Sequence, residues 1–111
     1  MLAPPSSKVE SSRKERILVH ANPRFADLIP GFLQNRRQDV IEVLDALERG
    51  DFEAVESLGH GMKGAGASYG FQAITDIGAA VEHASENADI DGSRKSVGDM
   101  SRYLDRVETA H

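Results

Sequence analysis

The sequence predicts an all-α fold, an antiparallel up-down four-helix bundle with a short extra helix on its N-terminal side. Two observations predict this class. Apolar residues recur three and four positions apart over most of the chain, which is the period of a helix with one buried face. The periodic segments are also separated by short turns rich in Gly, Asp, Asn and Pro, and such turns force consecutive helices to pack antiparallel.

The N-terminal region predicts no helix. Residues 1–16 contain Pro4-Pro5, several serines and mixed charges without any period, so we expect a disordered arm, followed by a single domain over residues 17–111. Ile17–Val19 is a short apolar patch that we expect to pack as an extended segment. A strand is the alternative for this patch, but no second strand candidate exists, and we therefore predict no sheet.

The first helical residues follow this patch. Asn22 and Pro23 form a helix start, with Asn as N-cap and Pro at the first helical position, which predicts a short helix over Pro23–Ile29. The dipeptide Pro30-Gly31 is expected to interrupt it. A longer helix is then predicted from about Phe32 to Arg49, because its apolar residues keep helical spacing.

Three further helices complete the predicted bundle. Gly50 ends the preceding helix and Asp51 caps the next, while a break or helix end is expected at 68–70. The region Asp89–Ser93 is predicted to be a loop in which Ser93 serves as a possible cap. The predicted helices cover about Phe52–Ser68, about Phe71–Asn87, and a last segment with inward positions Val97, Met100, Leu104 and Val107.

Composition excludes several classes of function. A formal net charge of −5, with 13 Lys and Arg that are mostly dispersed, disfavours nucleic-acid binding. The absence of cysteine excludes disulfides, thiolate nucleophiles and cysteine-based zinc sites. Apolar runs are too short to span a bilayer and no secretory signal is evident, so we expect no membrane association and a cytoplasmic protein. At 111 residues, an enzyme with a deep pocket is also hard to build.

The most informative stretch begins at His60. On a helix, His60 falls about 140° from the centre of the apolar stripe and therefore points to solvent. Lys63 and Gly64 lie one turn away on the same face. The sequence thus predicts an exposed imidazole beside one ammonium group and a position without a side chain.

The glycines near His60 need a physical reason, because each costs about 1 kcal/mol relative to Ala in a helix interior. Gly64 leaves an incoming group room to reach the imidazole nitrogen in line, which suits transfer of a phosphoryl group. The ammonium of Lys63 is able to interact with the oxygens of such a group. Gly59 and Gly66 lie on the inward side, where we expect them to permit close helix packing. An ordinary surface histidine is the alternative, but a solvated face does not require costly glycines.

The pattern His60-x-x-Lys63-Gly64, followed by small residues, Ser68 and Gly70, resembles the motif of histidine-phosphotransfer (HPt) domains of multistep phosphorelays. The resemblance extends to residues 28–40 and to the turn at 50–52, and covers roughly residues 17 to 108. Tyr69 and Phe71 replace the smaller aliphatic residues that are frequent in the family.

The resemblance implies a phosphocarrier more than an enzyme. It implies that His60 accepts a phosphoryl group from a receiver-domain aspartate and donates it to another receiver, with assistance from Lys63 and Gly64. The implied partners are receiver domains of response regulators or hybrid histidine kinases. Mg²⁺ is expected on the partner receiver, with no cofactor or metal on this chain, which is expected to be a monomer.

The resemblance also implies residues that support His60. The family tends to place Gln or Glu on the following helix, and the matching residue here is Glu82. Its carboxylate would accept a hydrogen bond from Nδ1–H and leave Nε2 as the nucleophile. An ordinary solvated glutamate is the alternative. Ser68 belongs to the motif and is a second supporting candidate.

Other functions fit the sequence less well. A metal-binding bundle would need several inward carboxylates and histidines, whereas the inward positions here are aliphatic. An adaptor domain that docks a receiver or kinase without being phosphorylated remains the alternative function. His20, His83 and His111 lack the spacing of a bundle metal site and are weaker candidates than His60.

Overall fold

The computed structural model describes residues 17–20 and 23–110. It confirms the predicted all-α class, with four helices and a short leading 3₁₀ helix. The predicted arm over residues 1–16 and the predicted cap Asn22 lie outside the described residues. The elements in chain order are β1 Ile17–His20, the 3₁₀ helix Pro23–Leu28, α1 Ile29–Glu48, α2 Phe52–Tyr69, α3 Gln72–Glu86, α4 Ile90–Arg106 and β2 Val107–Ala110.

The core runs along the axis of the bundle and takes residues from all four helices. Each helix contributes the apolar stripe that its period predicts, which removes these side chains from water. At one end of the bundle Tyr69 stacks on Phe32 at 4.4 Å between ring centroids and contacts Phe25 at 5.5 Å, so the 3₁₀ helix is joined to α1 and α2. Fully buried core side chains are Val43, Val55, Met62, Phe71, Ile74, Val81 and Met100.

The predicted interruption at Pro30-Gly31 is wrong. Helix α1 begins at Ile29 and continues through Pro30 and Gly31 without a break. Proline lacks only its own N–H, and N–H groups in the first turn have no partner within the helix, so Pro30 is tolerated there. The short helix predicted over Pro23–Ile29 is the 3₁₀ helix, which leads directly into α1.

The turns on either side of α2 form as predicted. The Asp51 side chain accepts a hydrogen bond from the backbone N–H of Ala54 at 3.1 Å and caps the helix. Gly70 adopts the left-handed conformation, with φ of +83°, and its N–H donates to the Gly66 carbonyl at the end of α2. These two turns fix the ends of α2 and connect it to α1 and α3.

The predicted loop at Asp89–Ser93 is wrong, because α4 already begins at Ile90. Asp89 is the N-cap, and its carboxylate accepts a hydrogen bond from the N–H of Gly92 at 2.9 Å. A Cβ at residue 92 would collide with that carboxylate, so glycine permits the cap. Ser93 is fully buried in the first turn and does not act as the cap.

The prediction that no sheet forms is also wrong. Strand β1 pairs in parallel with β2, in a register that joins Ile17 to Val107 and His20 to Ala110. The partner strand comes from the end of the described chain, where Val107 had been predicted as an inward position of the last helix. Helix α4 ends at Arg106, and Val19 of β1 and Val107 of β2 pack against the core of the bundle.

Candidate functional site

His60 lies in the middle of α2 with 69% of its side chain exposed. The buried positions of this helix are Val55, Gly59, Met62 and Gly66, which face the core. Because these positions fix the rotation of α2, the residue after Gly59 must point outward. The structure therefore presents an imidazole to solvent on the side wall of the bundle.

Glu82 on α3 connects His60 with Lys63. One carboxylate oxygen, Oε2, lies 3.0 Å from Nδ1 of His60, and the other, Oε1, lies 2.8 Å from Nζ of Lys63. The Glu82 side chain is only 18% exposed, whereas that of Lys63 is 39% exposed. The contact across the α2–α3 hairpin, which the sequence left open, is thus present in the structure.

These two contacts of Glu82, with His60 and with Lys63, form a bridge that determines which nitrogen of His60 carries the proton. The pKa of Glu82 is lowered, chiefly by the hydrogen bond from Lys63 and further by the one from His60, while partial burial opposes this shift. The carboxylate is therefore ionised at neutral pH and can only accept hydrogen bonds. Nδ1 of His60 must donate to it, and the neutral ring keeps its lone pair on Nε2.

Gly64 lies one turn from His60 and is not required for packing. A Cβ built at this position meets nothing within 4 Å, so the surface beside the imidazole is open. Ser68 is exposed but lies eight residues beyond His60, which is about 12 Å along a helix. The structure therefore groups His60, Lys63, Gly64 and Glu82, and it does not bring Ser68 to the imidazole.

Other glycines hold α2 and α3 in backbone contact. A Cβ at Gly59 would lie 2.7 Å from the backbone nitrogen of Glu82, and a Cβ at Gly66 would lie 2.6 Å from that of Thr75. These are the two glycines expected to permit close packing. Sequence reasoning missed Gly78 on α3, where a Cβ would lie 2.5 Å from the backbone nitrogen of Lys63.

Sequence reasoning also missed Thr75. Its hydroxyl donates a hydrogen bond to the backbone carbonyl of Lys63 at 3.1 Å. This bond fastens α3 to the turn of α2 that carries Lys63. A threonine inside a helix often bonds its own backbone, so only the packing of the two helices identifies this partner.

Two more carboxylates, of Glu56 on α2 and Glu86 on α3, lie close to Glu82. The pKa of Glu56 is raised, chiefly by its hydrogen bond to Glu86, and the carboxyl oxygens of Glu56, Glu82 and Glu86 lie within 4.8 Å of one another. Both oxygens of Glu82 are already engaged by His60 and Lys63. Exposed acidic groups at such spacing are common, and we assign no metal to them.

The other histidines are placed differently. His83 is exposed on α3 and has Asn87 as its neighbour, whose amide donates to the His83 carbonyl at 2.9 Å. The carboxylate bridge is made by Glu82, the preceding residue, to His60. His111 lies outside the described residues, as does the side chain of His20.

The fold and the site together define a helical bundle that presents an exposed histidine, held at Nδ1 by a carboxylate and one turn from a lysine. The family model described as the Hpt domain matches residues 27–110, about three quarters of the chain, and the chain belongs to that family. It is therefore a phosphotransfer domain of two-component signalling. Comparisons with curated proteins and with solved structures returned no match.

Family membership also defines the kind of partner. Hpt domains interact with receiver domains of two-component proteins, and this chain has that role. Within the described residues, no helix combines the length and the apolar character needed to cross a bilayer.

Proposed function

We propose that His60 accepts a phosphoryl group on Nε2 from the aspartyl phosphate of one receiver domain and passes it to the aspartate of another. The observation that supports this most strongly is the Glu82 bridge. It occupies Nδ1 and leaves the lone pair on Nε2 of a ring that is mostly open to solvent. A free nucleophilic nitrogen that a partner can reach is what such a transfer requires.

The proposed step is a displacement at phosphorus. The lone pair on Nε2 of His60 forms a bond to phosphorus while the bond from phosphorus to the partner's aspartate oxygen breaks. The electron pair leaves with that oxygen as a carboxylate. The ring keeps its Nδ1 proton and becomes positively charged, and the Glu82 carboxylate stabilises that charge. The reverse of this step on a second aspartate returns a neutral ring.

Lys63 neutralises charge on the phosphoryl group in this proposal. Its ammonium is bound to Glu82 in the present structure and is partly exposed, so a rotation of the flexible side chain brings it to phosphoryl oxygens on His60. Gly64 leaves the approach to Nε2 open. Mg²⁺ is supplied by the receiver, and the remaining catalytic groups belong to that partner.

The partner is proposed to dock on the outward face of α2. Ala67 is exposed on this helix two turns from His60, whereas Tyr69 packs on Phe25 and Phe32 at one end of the bundle and lies away from the imidazole. Met62 is fully buried and does not contribute to a docking surface. We propose that one copy of the chain is sufficient, because His60, Lys63, Gly64 and Glu82 all come from a single chain.

The test is transfer of label from a receiver domain phosphorylated on its aspartate. The wild-type chain is expected to take up label that is acid-labile and base-stable, and His60→Gln is expected to take up none. His83→Gln is the matched control, because it removes an exposed histidine of the adjacent helix. Equal labelling of wild type and His60→Gln would refute the proposal, whereas receiver binding without any label would favour the adaptor function.

A further inference from the structure

Gly78 contacts the segment of α2 that carries the candidate site. It lies one turn before Glu82 on α3, and it packs against the backbone of α2 at Gly59 and Lys63, on either side of His60. A Cβ at residue 78 would lie 2.5 Å from the Lys63 nitrogen, 2.9 Å from the Gly59 carbonyl oxygen and 2.9 Å from Cβ of Met62. All three are backbone or Cβ atoms, which cannot rotate away.

The size of the displacement that a methyl group would cause follows from these distances. An ordinary non-bonded contact needs about 3.5 Å, so the closest approach of 2.5 Å must open by about 1 Å. The bond from His60 Nδ1 to Glu82 is 3.0 Å long. The same opening would bring it to about 4 Å, which is beyond hydrogen-bonding distance.

We propose that Gly78 is a positioning residue for the phosphoacceptor site, because the bare backbone at this position seats α3 on α2 and holds Glu82 where it bridges His60 and Lys63. This inference rests on the proposed function of His60. It assigns to Gly78 no contact with the phosphoryl group. Its effect passes through Glu82, which can reach both partners only while the two helices remain in backbone contact.

The same contact can be disturbed from the opposite helix. A Cβ at Gly59 would lie 2.7 Å from the Glu82 nitrogen and 3.0 Å from the Gly78 carbonyl oxygen. Gly59→Ala is therefore expected to have the same effect as Gly78→Ala. Gly61→Ala is the matched control, since this residue is also a helical glycine beside His60 but a Cβ there meets nothing within 4 Å.

The experiment records the tautomer of His60 by ¹⁵N–¹H correlation spectra of the histidine side chains at neutral pH. The His60 signals are identified by their absence in His60→Gln. Wild type and Gly61→Ala are expected to show the Nδ1–H form, because the hydrogen bond to Glu82 selects it. Gly78→Ala and Gly59→Ala are expected to show a mixture of both tautomers, as is Glu82→Ala.

A structural role alone would lower the stability of these variants without changing the tautomer, so thermal unfolding is recorded in parallel. Folded Gly78→Ala or Gly59→Ala protein that retains the wild-type tautomer would overturn the proposal. Failure of both variants to fold would also overturn it, because the contact would then serve the whole bundle. The measurement requires no receiver, so it can succeed even if labelling of His60 fails.

Transfer from a phosphorylated receiver gives the functional consequence. Misplacement of a reacting group by about 1 Å can cost a factor of 10 to 100 in rate, so we expect transfer to Gly78→Ala to slow by about tenfold. Gly61→Ala is expected to match the wild-type rate. An unchanged rate in Gly78→Ala together with a changed tautomer would contradict the role of the bridge in transfer.

Discussion

Substitution of Gly64 by glutamine is expected to change stability and function in opposite directions. Gly64 lies in an exposed part of α2, and a Cβ there meets no atom within 4 Å. Replacing glycine in such a helix position removes a cost of roughly 0.5–1 kcal/mol without introducing a clash. The free energy of unfolding should therefore rise, which corresponds to an increase in Tm of about 4 °C for a domain of this size.

Phosphotransfer to the same variant should become slower. The glutamine side chain would stand one turn from His60, in the open space through which the partner's phosphoryl group is proposed to approach Nε2. We expect a loss of at least about tenfold in transfer rate, since in-line geometry contributes a large part of the rate of such reactions. Gly64→Ala is expected to give the same gain in stability with a smaller loss of rate.

The assay combines urea unfolding with the initial rate of labelling by a phosphorylated receiver domain. Gly61→Ala is the control, because it also replaces an exposed glycine of α2 that meets nothing within 4 Å. It should show the gain in stability and the wild-type rate. A Gly64→Gln variant that is labelled at the wild-type rate, or that is less stable than wild type, would contradict the role assigned to Gly64.

Three further predictions concern the groups around His60 and the helix starts. Lys63→Ala should slow labelling by about tenfold with the fold retained, because its side chain is partly exposed and, in the proposed step, supplies charge to the transferred group; an unchanged rate in the labelling assay would remove this role. The pKa of Glu82 is lowered from 4.5, chiefly by Lys63, so its bridge stabilises the folded state above pH 4.5 and this contribution is lost as the pH falls through the lower folded-state pKa. Urea midpoints of wild type should accordingly exceed those of Glu82→Gln at pH 7, and the difference should shrink as the pH is lowered below 4.5, whereas a constant difference would contradict the assignment. Asp89→Ala should lower the free energy of unfolding by about 1 kcal/mol, because it removes the cap of α4, and equal urea midpoints would show that the cap contributes nothing.

Helical period and turn residues were sufficient to predict the bundle. The stripe on α2 gave the outward direction of His60, and Asp51 and Gly70 gave the limits of that helix, because these signals are local. The start of α4 was missed because Asp89 and Ser93 are both plausible caps, and only the buried position of Ser93 decides between them. The strand pair was missed because its two strands come from opposite ends of the chain.

Some residues of the candidate site were likewise predictable from local spacing, whereas others depend on how the helices pack. His60, Lys63 and Gly64 share one helix, so their spacing places them together without knowledge of the fold. Glu82 came from the resemblance to a family, and its bridge to both His60 and Lys63 depends on the distance between α2 and α3. A Cβ at Gly78, one turn from Glu82, would lie 2.5 Å from the Lys63 nitrogen, so a glycine inside the otherwise regular helix α3 was the sequence signal for this close contact.

The proposed role of His60 is tested by locating the phosphoryl group after transfer from a phosphorylated receiver. Coupling between ³¹P and the ring nitrogens of ¹⁵N-labelled protein reports which nitrogen carries it. We expect the phosphoryl group on Nε2 of His60, because Glu82 occupies Nδ1. A phosphoryl group on Nδ1 of His60, or on His83 in place of His60, would contradict it.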